Sequence, residues 1–370
     1  MTQPNDLSRS RIPFCQESTL IVVVDMSQSS WLVAGIVPGI ERHPLKKLDP
    51  DEEALLQLIQ RWRDEGVKVG RPITRIALAF EAGRDGFWLA RWLRMRGIES
   101  YVIHSTSVAV PREHRRAKTD RLDSELLKRV FIGWLRGEPD HCRMVAIPTL
   151  EEEDAKRPNR ERENLIGERT RIVNRMKGCL ARLGIRKLQV DFAQGIGTSC
   201  DIVYAGARLR FIMDQIREIE RTRLERLKQS PEKGPHAMVR LLARVIGVGI
   251  ETADMLVHEV LSRNLRDRRA VARYAGLTGS PDESGRKRRE KGLAKAGNSR
   301  VRRGMIQLAW RFLMFRKDSS LARWYRARTE GAPSTRKTMI VALARKLLIA
   351  LWRLVTTGEL PVGATLRPMA

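Results

Sequence analysis

A chain of 370 residues, of which 42% are hydrophobic, is long enough for two domains or three, each with a core, and is not a disordered basic tail. Its formal net charge of +27 favours polyanions and works against a small neutral substrate, so nucleic acid is the expected partner. Cys15, Cys142, Cys179 and Cys200 are scattered without CxxC spacing, which argues against a zinc finger or a disulfide framework.

In chain order, Met1 to Ser18 is polar, carries Pro4 and Pro13 and lacks a leader-type apolar stretch, so a cytoplasmic compartment is expected. Leu20-Ile21-Val22-Val23-Val24 has the length and β-branched content of a buried strand and stops at Asp25. A polar turn over Ser27 to Ser30 leads into a second strand, Trp31 to Val37, with a weaker one over Glu41 to Leu48. Asp49 to Gly66 predicts a helix with Leu55, Leu58, Ile59 and Trp62 along one side. A strand over Ile76 to Phe80 then stops at Glu81. A helix from Asp85 to Arg96, a short strand from Ser100 to His104 and a helix from Asp120 to Leu135 follow. This is an α/β layout, in which ligands bind beyond the carboxyl ends of the strands.

From Leu150 the texture is helical and highly charged, with no strand pattern until about residue 270. Asn159 to Leu183 and Ala205 to Lys228 predict two long amphipathic helices. The seam Ile212, Ile216, Ile219, Leu224 and Leu227 suggests a helical pair or short coiled coil and a dimer contact. Ser230 to Pro235 reads as a linker. Domains are therefore expected at 1–148, 149–235 and 236–370. Beyond the linker, Leu241 to Leu256 gives helix, a turn with Gly247 and Gly249, then helix. That is either a helix-hairpin-helix whose glycines let backbone amides approach a phosphate, or an ordinary helical hairpin. Two helices, Arg300 to Arg316 and Ser334 to Val355, are expected to close the chain, with Trp310, Trp324 and Trp352 in the core. Met339 to Val355 carries Arg345, Lys346 and Arg353, so it reads as a packed helix and no membrane is expected as a partner.

Four acids carry the candidate chemistry. Asp120 and Asp123, at i and i+3, share one face of a helix start, and Asp25 and Glu81 end two apolar strands. If those strands are neighbours the four converge, and carboxylates are the ligands that hard divalent cations take for work on phosphodiesters. The plain alternative for Asp120 and Asp123 is helix capping. An acid ending a buried strand is harder to explain that way, because its burial is costly unless something pairs with it. Ser284 stands beside a glycine in an expected loop and is a candidate nucleophile, or simply a turn serine. Arg286, Lys287, Arg288, Arg289, Lys291, Lys295, Asn298, Arg302 and Arg303 make the most basic stretch, interrupted only by Glu290, and read as a phosphate-binding surface.

At these residues the chain resembles the DEDD transposases of a bacterial insertion-sequence family that also includes the Piv-type DNA invertases. The resemblance is carried by Val22-Val23-Val24-Asp25, Phe80-Glu81-Ala82-Gly83 and Lys118-Thr119-Asp120-Arg121-Leu122-Asp123. In the second half it is carried by Ile246-Gly247-Val248-Gly249, Tyr274-Ala275-Gly276-Leu277-Thr278, Glu283-Ser284-Gly285 and Lys295-Ala296-Gly297-Asn298 with Arg302-Arg303.

The resemblance implies a RuvC-like, RNase H-type α/β domain, a central helical coiled-coil segment and a mostly α C-terminal domain with a helix-hairpin-helix. It implies Asp25, Glu81, Asp120 and Asp123 as ligands of Mg²⁺, two ions in all, and Ser284 as the nucleophile that forms a phosphoserine with DNA. It further implies a guide non-coding RNA that pairs with donor and target DNA. Dimers would pair into a tetramer in which the serine of one subunit completes the metal site of another. The competing readings are a metal-dependent, structure-specific endonuclease of Holliday-junction type with water as nucleophile, and an architectural DNA-binding protein without chemistry.

Overall fold

The computed structural model describes residues 9–10, 12–83, 86–108, 120–138, 141–182, 184, 200–229, 233–284, 287–294, 296–360 and 365–368. Within these ranges the description of side chains leaves out 106, 120–121, 200–204, 281–284, 287–291 and 333. The chain divides into two compact units, 1–149 and 150–370.

In the first unit the apolar runs are strands. β1 (Thr19–Met26) pairs antiparallel with β2 (Trp31–Ile36), which pairs antiparallel with β3 (Leu45–Leu48). On its other side β1 pairs in parallel with β4 (Arg75–Glu81), and β4 with β5 (Glu99–Ile103). A two-residue strand, β6 (Met144–Val145), closes the order β3-β2-β1-β4-β5-β6. The central strands are apolar on both faces because both are covered. Leu20, Val22, Val24, Leu78 and Phe80 pack on α1 (Glu52–Lys68) and α2 (Trp88–Met95). Ile21, Val23, Ala77, Ala79 and Ile103 pack on α3 (Asp120–Leu135) through Leu127, Val130, Phe131 and Trp134. This mixed α/β sheet is consistent with an RNase H-like fold. The weak strand expected from Glu41 begins only at Leu45, and β6 carries too few residues to leave a periodic signal.

The second unit is mostly helical. After α4 (Leu150–Asp154), the long helices α5 (Arg157–Arg182) and α6 (Cys200–Gln229) pack through Leu165, Ile172 and Met176 against Leu209, Ile212 and Ile216. The seam expected to face a second copy is thus filled within the chain, where Ile212, Ile216 and Ile219 meet α5.

A second cluster gathers α7 (Pro235–Arg244), α8 (Ile250–Leu256), a π-helical turn over Val257–Leu261, α9 (Arg268–Tyr274), α10 (Ser299–Phe315), α11 (Ser320–Thr329) and α12 (Arg336–Thr357). A hairpin of β7 (Gly279–Ser284) and β8 (Lys287–Leu293) precedes α10. Three helices, not the expected two, end the chain. α11 escaped because its ten residues carry three arginines and little apolar periodicity. Trp310 is a second correction: it is 46% exposed and lies edge-on to Tyr325, with its ring outside the core. Among the described residues no helix is long and apolar enough to cross a membrane.

Candidate active site

β1 and β4 run in parallel and in register, Val24 opposite Phe80, so the next residues, Asp25 and Glu81, stand side by side at the carboxyl ends. Strand alternation puts them on one face. Ile21 and Val23 on β1, like Ala77 and Ala79 on β4, face α3, and Asp25 and Glu81 continue those two rows. Asp25 is half-buried and Glu81 exposed. Both line a cavity of about 250 Å³ together with Ser27, Gln28, Phe80, Ala82 and Gly83.

The strand ends are pinned from behind. The Ser27 hydroxyl donates to the Ser30 carbonyl at 2.7 Å, closing the turn after β1. The Ala82 amide donates to the Ile103 carbonyl at 2.8 Å, and the Ser105 hydroxyl to the Ala82 carbonyl at 3.2 Å, fixing the chain after β4.

The direction of α3 decides where its first turn lies. At its far end the Ser10 amide donates to the Trp134 carbonyl at 2.9 Å, and Arg136 donates to Gln16, ahead of β1, at 3.1 Å. α3 therefore runs antiparallel to β1, and its first turn, with Asp120 and Asp123, lies toward the strand ends that carry Asp25 and Glu81. Asp123 is half-buried and belongs to the same helical stripe as Leu127, Val130 and Trp134. The Asp120 side chain lies outside the described residues. Among the described residues no group of three or more His, Cys, Asp or Glu side chains is close enough together to hold a metal ion. The geometry brings Asp25 and Glu81 together and sets Asp123 on the facing helix. Oxygen donors of this kind suit a hard cation.

In the second unit, Ser284 is the last residue of β7, opposite Lys287 of β8. The expected loop is a strand end at a hairpin tip; Ser-Gly looks the same in both. Lys287, Arg288, Arg289 and Lys291 lie on β8, so the basic stretch is in part a strand, while Arg286 and Lys295 fall outside the described residues.

Asn298 is committed to the fold at both ends of its side-chain amide. Its oxygen caps α10, accepting from the Arg300 and Val301 amides, and its nitrogen donates to Glu259 at 2.9 Å. Arg303 pairs with Glu163, as does Arg300, while Arg302 donates to the Ala296 carbonyl at 3.4 Å. The base of the hairpin is cinched where two backbone segments cross. A Cβ at Gly297, whose φ is +87°, would lie 2.5 Å from the Tyr274 carbonyl oxygen, and the Asn298 amide donates to that oxygen at 2.7 Å. The glycine of Tyr274-Ala275-Gly276 meets the Ala296 carbonyl from the other side. Between α7 and α8, Gly247 takes φ +100°, and open space surrounds the position a Cβ would occupy on Gly249.

Reading the sequence missed a buried polar group next to this hairpin base. Glu259, 3% exposed, accepts from Arg160 at 3.1 Å as well as from Asn298. Burial alone would raise its pKa, but the hydrogen bond and charge of Arg160, with Asn298, outweigh that and hold the carboxyl below its ordinary value. Asp254 behaves alike. Burial raises it, while the hydrogen bond from His258 and the charge of Arg223 bring it below the ordinary range. A single acid inside the apolar run Val257-His258-Glu259-Val260-Leu261 was the available signal.

The family described as Transposase IS116/IS110/IS902 matches residues 239–326, and the DEDD transposase model of the IS110 group matches residues 22–185. A protein of Sinorhizobium fredii named as a candidate transposase, y4rJ, is 36% identical over 384 residues, covering 94% of each chain. A protein of Pseudomonas aeruginosa named as a candidate family 20 transposase is 25% identical over 228 residues, covering 58% of this chain and 67% of its own. A mixed α/β unit followed by a helical one, with these matches across both, defines a transposase, an enzyme of DNA recombination. The chain belongs to the IS116/IS110/IS902 family.

Proposed function

We propose that this transposase cuts and rejoins DNA strands through a covalent phosphoserine at Ser284, with two Mg²⁺ ions held by Asp25, Glu81, Asp120 and Asp123. The observation that carries the reading is the in-register parallel pairing of β1 with β4, which aligns Asp25 with Glu81 on the α3 face of one cavity. When bound, the ions neutralise the scissile phosphate and the charge that develops on the departing oxygen.

The chain's own groups do the rest. Asp25 and Glu81, on strand ends fixed by hydrogen bonds, orient the site with little reorganisation. The Ser284 oxygen attacks phosphorus: the Oγ–P bond forms, the P–O3′ bond breaks, the serine proton passes to a base and the 3′ oxygen takes up a proton. Rejoining runs the step backwards, with a 3′ hydroxyl displacing Oγ. The number of phosphoester bonds is conserved, so ATP is not needed. Arg286, Lys287, Arg288, Arg289, Lys291, Lys295, Arg302 and Arg303 neutralise backbone phosphates, and the α7–α8 turn at Gly247 and Gly249 works as a helix-hairpin-helix.

The same reading assigns 1–148 as the RuvC-like catalytic domain, 149–235 as a dimerising coiled-coil segment and 236–370 as the serine-bearing domain. Because Ile212, Ile216 and Ile219 are already packed on α5, the dimer would draw on the outward residues of α6, where Phe211 and Leu224 are exposed. A guide non-coding RNA, a tetrameric synaptic complex and a cytoplasmic, nucleoid-associated location complete it.

Incubation of the protein with Mg²⁺, donor DNA and target DNA, with and without RNA transcribed from beside the gene, tests the reading. Joined products that require the RNA are expected. Free ends alone would mean a nuclease with water as nucleophile.

A further inference from the structure

Around the hairpin base, positive charge outnumbers negative in a place where water is scarce. Lys156 is only 6% exposed, and the charges of Arg263 and Arg160 bear on its ammonium against those of Glu259 and Glu152. One helical turn on, Arg160 reaches Glu259, the one carboxylate of the group that is buried. Arg263, four residues beyond Glu259, lies over the Tyr274 ring at 4.8 Å, and its Nε is buried with no hydrogen-bond partner among the described residues. Three cations, Lys156 among them, thus gather where Glu259 is the buried acid and the exposed Glu152 the other negative charge. Burying an unpaired charge is costly, so such an arrangement is stable when an anion completes it.

We propose that Lys156, Arg160 and Arg263 bind a backbone phosphate of nucleic acid, at a site separate in sequence from the basic run Arg286 to Arg303. A phosphodiester brings one negative charge and acceptor oxygens, which matches a buried ammonium and a guanidinium whose Nε lacks an acceptor among the described residues. Burial, then the nearby charges of Arg263 and Arg160, lowers the pKa of Lys156, and the opposing charges of Glu259 and Glu152 do not make up the difference. The placement gives the site a purpose. Arg160 pairs with Glu259, which holds Asn298 at the start of α10, and Arg263 lies on Tyr274, whose carbonyl receives the Asn298 amide. A phosphate bound here anchors the polymer beside the base of the hairpin that carries Ser284.

This inference rests on the reading of the chain as a nucleic-acid enzyme, and the test separates the two. Affinity of the full chain for a DNA duplex and for a single-stranded RNA of equal length is measured over a series of salt concentrations, for the parent, Lys156→Met and Arg263→Gln. Each variant is expected to lower the steepness of log affinity against log salt by about 1 with the polymer that uses the site. Lys156→Met is also expected to melt higher than the parent, because it removes a buried charge that the nearby carboxylates do not fully offset; a lysine kept only for structure would melt lower when replaced. Parent-like salt dependence of both variants with both polymers overturns the site while leaving the transposase reading intact. A parent that binds neither polymer would overturn the transposase reading itself.

Discussion

Between Leu20 and Val24 on β1 and between Ile76 and Phe80 on β4 there is no ionisable side chain, and the acids stand at the strand ends. The helical unit instead buries Arg223, Asp254, Glu259 and Lys156 in its interior. The sheet is held by apolar burial on two faces, and Asp25 and Glu81 stand where those apolar rows end. In the helical unit the charges are part of the packing. Arg223 reaches Asp254 at 3.0 Å as well as Glu251, and Arg160 holds Glu259. An acid therefore means something different in each region: in the first its loss should remove activity, in the second it should remove stability.

Ser284 belongs to the charge-rich unit, yet its assigned role is chemical, at the end of β7. Ser284→Ala is expected to lower strand joining by about 10³-fold or more while DNA binding and melting temperature stay at the parent values. Joining by that variant at a parental rate would return Ser284 to the status of a turn residue. Next in size, Asp25→Asn or Glu81→Gln should reduce cleavage by about 10²-fold or more, as should removal of divalent metal with a chelator, with thermal unfolding unchanged. A large fall in melting temperature for either variant would show that the acids hold the sheet.

Glu259→Gln should do the reverse. It removes the buried carboxylate whose charge acts on both Arg160 and Lys156, and a loss of about 2 kcal/mol in denaturant unfolding is expected, below the full cost of breaking a buried pair because Arg160 is 44% exposed. The pH dependence follows from the same residue and from Asp254. Both have folded pKa values below their unfolded ones, so their stabilisation is present above about pH 4 and is lost as pH falls through the lower, folded values. Circular dichroism melts should show the helical unit weakening in acid, with Glu259→Gln reducing that dependence. The smallest effect is expected of Arg221→Ala. Arg221 pairs with Glu218 and Glu225 on the exposed face of α6, and the variant should melt with the parent.

Much of the first unit was legible in the sequence for the same reason that it is stable. Five-residue apolar runs ending in an acid announce a buried strand, and the run at Leu20 and the run at Ile76 became the neighbouring strands β1 and β4. The seam of α6 was legible as a seam, but the sequence did not name its partner: Ile212 and Ile216 look the same whether they meet α5 or another chain. At Ser284, Ser-Gly suits a loop and a hairpin tip equally, and the basic residues of β8 mask its strand pattern. Glu259 was missed because its partners lie far along the chain, Arg160 at 99 residues and Asn298 at 39, in contacts that have no local periodicity. The glycines at 276 and 297 show the same limit, since the crossing that requires them exists only once the chain is folded.

The most direct measurement is to trap protein on DNA in the presence of Mg²⁺, digest the complex and identify by mass spectrometry the residue that carries the nucleotide. A phosphodiester on Ser284, lost in Asp25→Asn and in Ser284→Ala, is the expected result. A nucleotide on another residue, or cleaved DNA with no covalent adduct at all, would contradict the account.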